Sequence, residues 1–240
     1  MTDESPRPRT LMSWSTGKDS AWALHMLRAR NEVDVVGLFT TTIGEDTQGR
    51  VAIHGVRLAT LEAQAAAVGL PVFQVHLPDP CPNDAYEKAM EGFIARVRET
   101  GITHMAFGDL FLEDVRRYRE DKLAGTGITP LFPLWGLETH ALAREMIAAG
   151  VKARIVSVDL EHIGAEFAGR EYDAALLGDL PKGCDLCGEN GEFHTFSYDG
   201  PAFARPVAIE MGETRRTERF VHIEPLAITT TSIRILPQID

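Results

Sequence analysis

The 240-residue chain lacks most of the features that mark export, membrane insertion or binding to polyanions. It has only three cysteines, Cys81, Cys184 and Cys187. That odd count, with no apolar h-region behind the polar first nine residues, speaks against a disulfide framework and for reduced thiols. No run of 18 apolar residues occurs, so no membrane partner is expected and the chain reads as cytoplasmic. Low-complexity tracts and repeats with a period of 20–50 residues are also missing, which argues against a disordered or solenoid architecture. Basic residues are in deficit. With 24 Lys and Arg against 35 Asp and Glu the net charge is −11, which repels a phosphate backbone and makes nucleic acid a disfavoured partner.

The chain does have the composition of a soluble domain, 44% hydrophobic and 25% charged. Its length suits one large α/β domain, or a domain of roughly 150 residues followed by a smaller one. β-Rich apolar segments at residues 10–15, 33–42, 71–77, 104–110 and 151–160 alternate with helical patterns at 20–30, 56–68, 83–100 and 139–149. Gly69 and Gly101 read as helix stops. Short connections between strands and helices predict a doubly wound parallel sheet, because parallel strands need helical crossovers. Ligands of such sheets bind outside the carboxyl ends of the strands. Beyond residue 160 the pattern loosens into Gly-rich and Pro-rich segments with short β-like stretches at 203–211 and 219–223, read as a smaller α+β region.

The most specific segment lies between the first strand and the first helix: Ser13-Trp14-Ser15-Thr16-Gly17-Lys18-Asp19-Ser20. It is not a Walker A loop, since Met12 and Asp19 stand where that motif needs Gly and a hydroxyl. The physics is similar. Small residues let backbone N–H groups wrap an anion, and the helix N-terminus adds its positive end. Lys18 supplies a movable point charge, and the hydroxyls of Ser15, Thr16 and Ser20 supply donors. Asp19 is unexpected beside an anion; a shared Mg²⁺ would explain it, and so would simple helix capping with Ser20.

Residues 15–20 resemble the S-G-G-K-D-S signature of the PP-loop ATP pyrophosphatases, a HUP-like fold, with Thr16 in place of the first glycine. A threonine there must keep φ negative or accept strain. The flanking Ser-Trp and Ala-Trp-Ala-Leu bring the resemblance closer to the diphthine-ammonia ligase-like branch, and it runs along most of the chain. Residues 51–57, which contain His54, are similar to that branch's His-containing segment, followed by its Gln-Ala helix at Gln64-Ala65. Gly108-Asp109-Leu110, the charged stretch 113–120 and Pro130-Leu131-Phe132-Pro133-Leu134-Trp135 are similar to its fourth-strand region. Cys187-Gly188-Glu189-Asn190-Gly191-Glu192-Phe193-His194-Thr195 resembles its G-E-x-G-E-[FY]-H-T signature.

The resemblance implies a PP-loop nucleotide-binding domain at residues 10–160 behind a flexible tail at 1–9, and a substrate-binding region at 161–240. ATP, with Mg²⁺ held in part by Asp19, would lie over Ser13, Ser15, Thr16, Gly17, Lys18 and Ser20, its adenosine near Thr40, His54, Gly108 and Asp109. Arg117, Glu120, Gly188, Glu189 and Thr195 would hold the acceptor, with Arg119 joining Arg117 in a guanidinium clamp. Lys18, Asp19, Glu192 and His194 would carry the chemistry, Glu192 or His194 taking a proton from the attacking amine. Read without the family, a lone His is a surface residue, stretch 113–120 a solvated helix face, and 187–195 a Gly-rich turn. Cys184 and Cys187 read as structural or as half a zinc site.

The expected reaction is adenylylation of a carboxylate with release of pyrophosphate, then amide formation with ammonia or an amine; the acceptor stays open between a protein side chain and a small metabolite. The rivals are a PP-loop enzyme that modifies tRNA, which would need a basic surface, and a non-catalytic ATP-binding module. A homodimer joined along the late strands is the expected oligomer.

Overall fold

Sixteen elements follow one another in a computed structural model that describes residues 6–43, 49–51 and 55–228. The first part comprises β1 (Arg9–Ser13), α1 (Lys18–Arg30), β2 (Asp34–Ile43), β3 (Arg50–Val51), α2 (Leu58–Val68), β4 (Val72–Leu77), α3 (Asn83–Glu99), β5 (His104–Ala106), α4 (Glu113–Leu123), β6 (Thr129–Leu131) and α5 (Thr139–Ala148). The second comprises β7 (Lys152–Asp159), α6 (Ala174–Asp179), β8 (Phe193–Asp199), β9 (Ile209–Arg216) and β10 (Phe220–Ala227).

The first sheet has β1 at its centre, flanked by β2 and β5, with β4 beyond β2 and β6 beyond β5, all of these pairs parallel. Short β3 runs antiparallel to the carboxyl end of β2. Consecutive residues of the central strands serve opposite faces. Met12, Leu38 and Ala106 join one apolar cluster with Trp22, Leu24 and Leu61, whereas Leu11, Phe39 and Met105 join another with Phe93, Ile94 and Val97 of α3. A strand buried on both faces reads as a continuous apolar run, which is why these strands were legible. Gly69 closes α2 at φ 78° and Gly101 follows α3 at φ 79°, as their positions predict. The chain moves from β1 toward β2 and later returns to β5 on the other side, so the strand order reverses beside β1. The crevice at this switch point is where such folds bind ligands.

The segment at 151–160 is a strand, but it does not extend the parallel sheet. As β7 it pairs antiparallel with β8 and β10 in a second sheet of order β8-β7-β10-β9. The outer place in the first sheet goes to the three-residue β6, too short to announce itself in sequence. Apolar residues of β7 and β8, among them Ile155, Val158 and Phe196, belong to the same cluster as Met12 and Trp22. The second sheet therefore packs onto the first through a shared core. Among the described residues no helix is long and apolar enough to cross a membrane.

Candidate active site

The phosphate loop leaves β1 at Ser13, enters α1 at Lys18 and is folded on itself by its hydroxyls. Ser15 Oγ donates to Ser20 Oγ at 3.2 Å and accepts from Gly17 N at 3.4 Å, while Ser20 Oγ donates to Gly17 O at 2.9 Å. Thr16 takes the strained alternative, with φ 70°. A β-branched residue in that region is a genuine outlier, and here the surroundings hold it: Thr16 O accepts from Ser197 N at 2.9 Å and from Gln64 Nε2 at 2.9 Å. Thr16 Oγ1 is buried with no hydrogen-bond partner among the described residues. Gly17 answers a second need, since a Cβ there would lie 3.1 Å from Thr195 O and 3.3 Å from Thr195 Oγ1. β8 thus closes directly over the loop, and Lys18 N donates to Thr195 Oγ1 at 3.1 Å.

Lys18 is not a mobile charge in this structure. It is 1% exposed, its Nζ lies 2.9 Å from both Asp19 oxygens, and it also donates to the Cys187 carbonyl. The Tyr172 and Phe193 rings flank it at 5.2 and 5.6 Å. Burial is the largest influence and opposes the charge, yet Asp19, Cys187 and Glu189 together hold the ammonium above its ordinary pKa. Asp19, expected as a Mg²⁺ ligand, spends both oxygens on Lys18.

Across the crevice, β5 ends at Ala106 rather than Leu110, freeing residues 107–110 to line the site. Gly108 was expected to admit the nucleotide. Its open side instead faces the start of α1, where a Cβ would lie 3.1 Å from Asp19 C and 3.2 Å from Ser20 N. Asp109 accepts from Arg119 at 2.7 and 3.1 Å, so the acid expected at ribose or metal and one arm of the expected clamp neutralise each other. Arg117 and Glu120 are brought together on α4, in an open cavity of about 300 Å³ lined also by Glu113, Arg116 and Trp135. Thr40 lies one residue past the last β1–β2 pair, Ser13↔Phe39, and is buried beside the loop. His54 falls outside the described residues.

The C-terminal signature supplies the lid. Glu189 Oε1 accepts from Leu110 N at 2.7 Å, reaching across the crevice. Burial raises its carboxyl to a pKa of about 7, with Asp19 and Asp109 adding repulsion against the lowering effects of the Leu110 N–H and Lys18. Gly188 holds φ 73° and a Cβ there would lie 2.8 Å from Phe193 O, so the turn needs glycine. Glu192, expected to handle protons, faces into its own loop: Oε1 accepts from Asp185 N at 2.8 Å and Asn190 Nδ2 at 3.1 Å. His194 is pushed down to about 4 by burial, with Lys18 and His222 adding repulsion, so its ring is neutral at neutral pH. Burial pushes both Cys184 and Cys187 up to about 12, and their sulfurs donate to different carbonyls, those of Asp185 and Thr139. No group of three or more His, Cys, Asp or Glu able to hold a metal occurs among the described residues.

Sequence reading gave two supporting residues no role: Gln64, noted only within the Gln-Ala helix, and Tyr172. Gln64 accepts from Trp14 Nε1 at 2.6 Å and donates to Thr16 O and Ser197 O; a fully buried amide on the apolar face of α2 was the available signal. Tyr172 lies in an irregular stretch with no periodicity to flag it. Its hydroxyl donates to Leu186 O at 2.8 Å.

Comparison with known proteins agrees with this geometry. Residues 8–128 match the diphthamide synthase N-terminal domain and residues 138–227 the diphthamide synthase C-terminal domain. Proteins named diphthine–ammonia ligase are similar over parts of the chain. The one from Danio rerio is 29% identical over 167 residues, 62% of this chain and 65% of the relative. The Mus musculus protein is 34% identical over 142 residues, 55% of this chain and 52% of the relative. The Homo sapiens protein is 26% identical over 225 residues, 83% of this chain and 82% of the relative. The chain thus spans between half and two thirds of the length of the first two. With the phosphate loop, the switch-point crevice and the lid each lying within the matched domains, the chain belongs to the diphthamide synthase family.

Proposed function

We propose that this chain is an ATP-dependent amide-forming ligase that adenylylates a carboxylate, releases pyrophosphate and transfers ammonia or an amine. The observation that carries the reading is the closure of the C-terminal lid over the phosphate loop at the switch point, with Thr195 on Lys18 N and Glu189 on Leu110 N. ATP phosphates belong at the loop 15–20, where the α1 N-terminus offers its positive end and the buried Thr16 hydroxyl offers a donor. The adenosine lies along the strand ends near Thr40 and residues 107–109. The acceptor enters from the α4 side, past Arg117 and Glu120, and residues 188–195 hold its carboxylate against the α-phosphate.

In the first step a carboxylate oxygen attacks the α-phosphorus and the bond to the β-phosphate oxygen breaks, giving an acyl-adenylate and pyrophosphate. In the second, the amine attacks the acyl carbon, a proton leaves the nitrogen and AMP departs. Glu189 takes that proton, since its carboxyl titrates near neutrality and it faces the crevice, whereas Glu192 is bound within its own loop. Mg²⁺ enters this reading as part of the substrate, carried on the ATP phosphates. The two-part organisation, nucleotide on the first sheet and acceptor on the second, belongs to the same proposal, with the expected boundary at 160 moved ahead of β7, as does a cytoplasmic location.

The test is mass spectrometry of nucleotide products after incubation with ATP, Mg²⁺, ammonium and fractionated cell extract, with Lys18→Ala as control. AMP and pyrophosphate formed with one fraction and lost in the variant are the expected products. ADP and phosphate would overturn the scheme, and ATP bound but never cleaved would favour a non-catalytic module.

A further inference from the structure

The loop that carries the lid, residues 184–189, packs Leu186 and Cys187 into the core, bonds Cys187 Sγ to Thr139 O, and is tied toward the crevice by three further hydrogen bonds. Lys18 Nζ donates to Cys187 O, Tyr172 Oη donates to Leu186 O at 2.8 Å, and Glu189 reaches Leu110 N. Tyr172 connects the first two. Its backbone N donates to Ala153 O of β7 at 2.7 Å, its side chain is 2% exposed, and its ring lies under Lys18 Nζ at 5.2 Å. The ring and that of Phe193, centroids 6.4 Å apart, form two walls of a box around the ammonium. A cation between aromatic faces is attracted by their quadrupoles.

This arrangement also accounts for an acid in an anion-binding loop. Lys18 and Asp19 form a neutral pair, so Asp19 does not repel phosphate and Lys18 does not have to reach it. Besides Asp19, the ammonium donates to the Cys187 carbonyl of the lid loop.

We infer that Tyr172 is a positioning residue of the active site, acting with Lys18 as a single latch that holds the 184–189 loop, and hence Glu189, closed over the phosphate loop. That Glu189 takes part in turnover rests on the ligase reading; the latch itself does not. Breaking one of a few hydrogen bonds that hold a loop costs on the order of 1 kcal/mol, a three- to tenfold shift in its opening equilibrium. In the full chain, labelling of Cys187 by a maleimide, followed peptide by peptide, reads that opening directly. Cys187 is 2% exposed when the latch is closed.

Tyr172→Phe keeps the ring and loses the hydroxyl; it should label Cys187 about three- to tenfold faster than the natural chain, by the shift above. Lys18→Met should do the same. The double variant should label no more than about twofold faster than the faster single variant, because two parts of one latch are not additive. Labelling of Cys81, outside the loop, should stay constant in all three and controls for general unfolding. Unchanged Cys187 labelling in Tyr172→Phe, or multiplicative effects in the double variant, would overturn the latch. Where pyrophosphate release is measurable, Tyr172→Phe should lower kcat about three- to tenfold and leave the KM for ATP within about twofold; a rise in KM at constant kcat would instead place Tyr172 in nucleotide binding and refute its role as a lid latch. Absence of any turnover with normal latch behaviour would count against the ligase reading alone.

Discussion

Replacing Glu189 by Gln separates the function of its carboxyl from its cost to stability. Gln keeps an acceptor for Leu110 N, which lies 2.7 Å from Glu189 Oε1, but cannot ionise. Burial lifts the carboxyl to about 7 in the folded chain, against the ordinary glutamate value of 4.5. The folded state therefore binds this proton more tightly than the unfolded state. The stabilisation is present below the unfolded pKa, is lost as pH rises toward 7, and is gone above it. The full shift corresponds to about 3 kcal/mol, and solvent screening of this half-buried group reduces that to roughly 1–2 kcal/mol. Urea unfolding at pH 5 and pH 8 should show Glu189→Gln gaining roughly 1–2 kcal/mol relative to the natural chain at pH 8. If the proposed ligase reaction holds, its turnover should fall about 100-fold and lose the rise between pH 6 and 8 that a proton acceptor with this pKa imposes. A variant less stable than the natural chain at pH 8 would refute the burial argument. A stable variant with undiminished turnover would refute the proton-transfer role.

Three further outcomes follow from backbone and packing. Gly108→Ala places a methyl 3.1–3.2 Å from the Asp19 and Ser20 backbone, which cannot yield easily; it should cost about 1–3 kcal/mol in urea unfolding and weaken ATP binding by moving the α1 N-terminus. Thr16→Gly relieves the positive φ of 70° and should raise stability by up to about 1 kcal/mol, measured by thermal unfolding, because the left-handed strain exceeds the entropy lost by glycine. Gln64→Leu leaves Trp14 Nε1 without its acceptor and Ser197 O without the Gln64 donor; it should cost at least about 2 kcal/mol, with intrinsic Trp fluorescence reporting the loosened loop.

Much of the nucleotide half is legible from local chemistry. Residues 13–20 carry small side chains, hydroxyls and a Lys-Asp pair in contiguous sequence, and their place after an apolar strand needs no long-range information. The helix stops at Gly69 and Gly101 are equally local, since only a residue that tolerates positive φ serves there. Strand 33–42 announces itself because its central residues, 37–40, are buried on both faces, and 71–77 because its apolar residues alternate onto a buried face.

What tertiary structure decided concerns partners. Val158 is as apolar as Met12, so pattern alone could not say that β7 leaves the parallel sheet for an antiparallel one. Lys18 has a formal charge in sequence, but only folding shows that Asp19 and Cys187 O absorb it. Glu189 and Glu192 are the same residue type three positions apart. One spans the crevice to Leu110 and the other turns into its own loop, with a positive-φ glycine, Gly188 or Gly191, turning the chain just before each. The sequence by itself placed the hydroxyls and the Lys-Asp pair in one loop after an apolar strand; the packing of the second sheet on the first decided which charges are spent and which carboxyl spans the crevice.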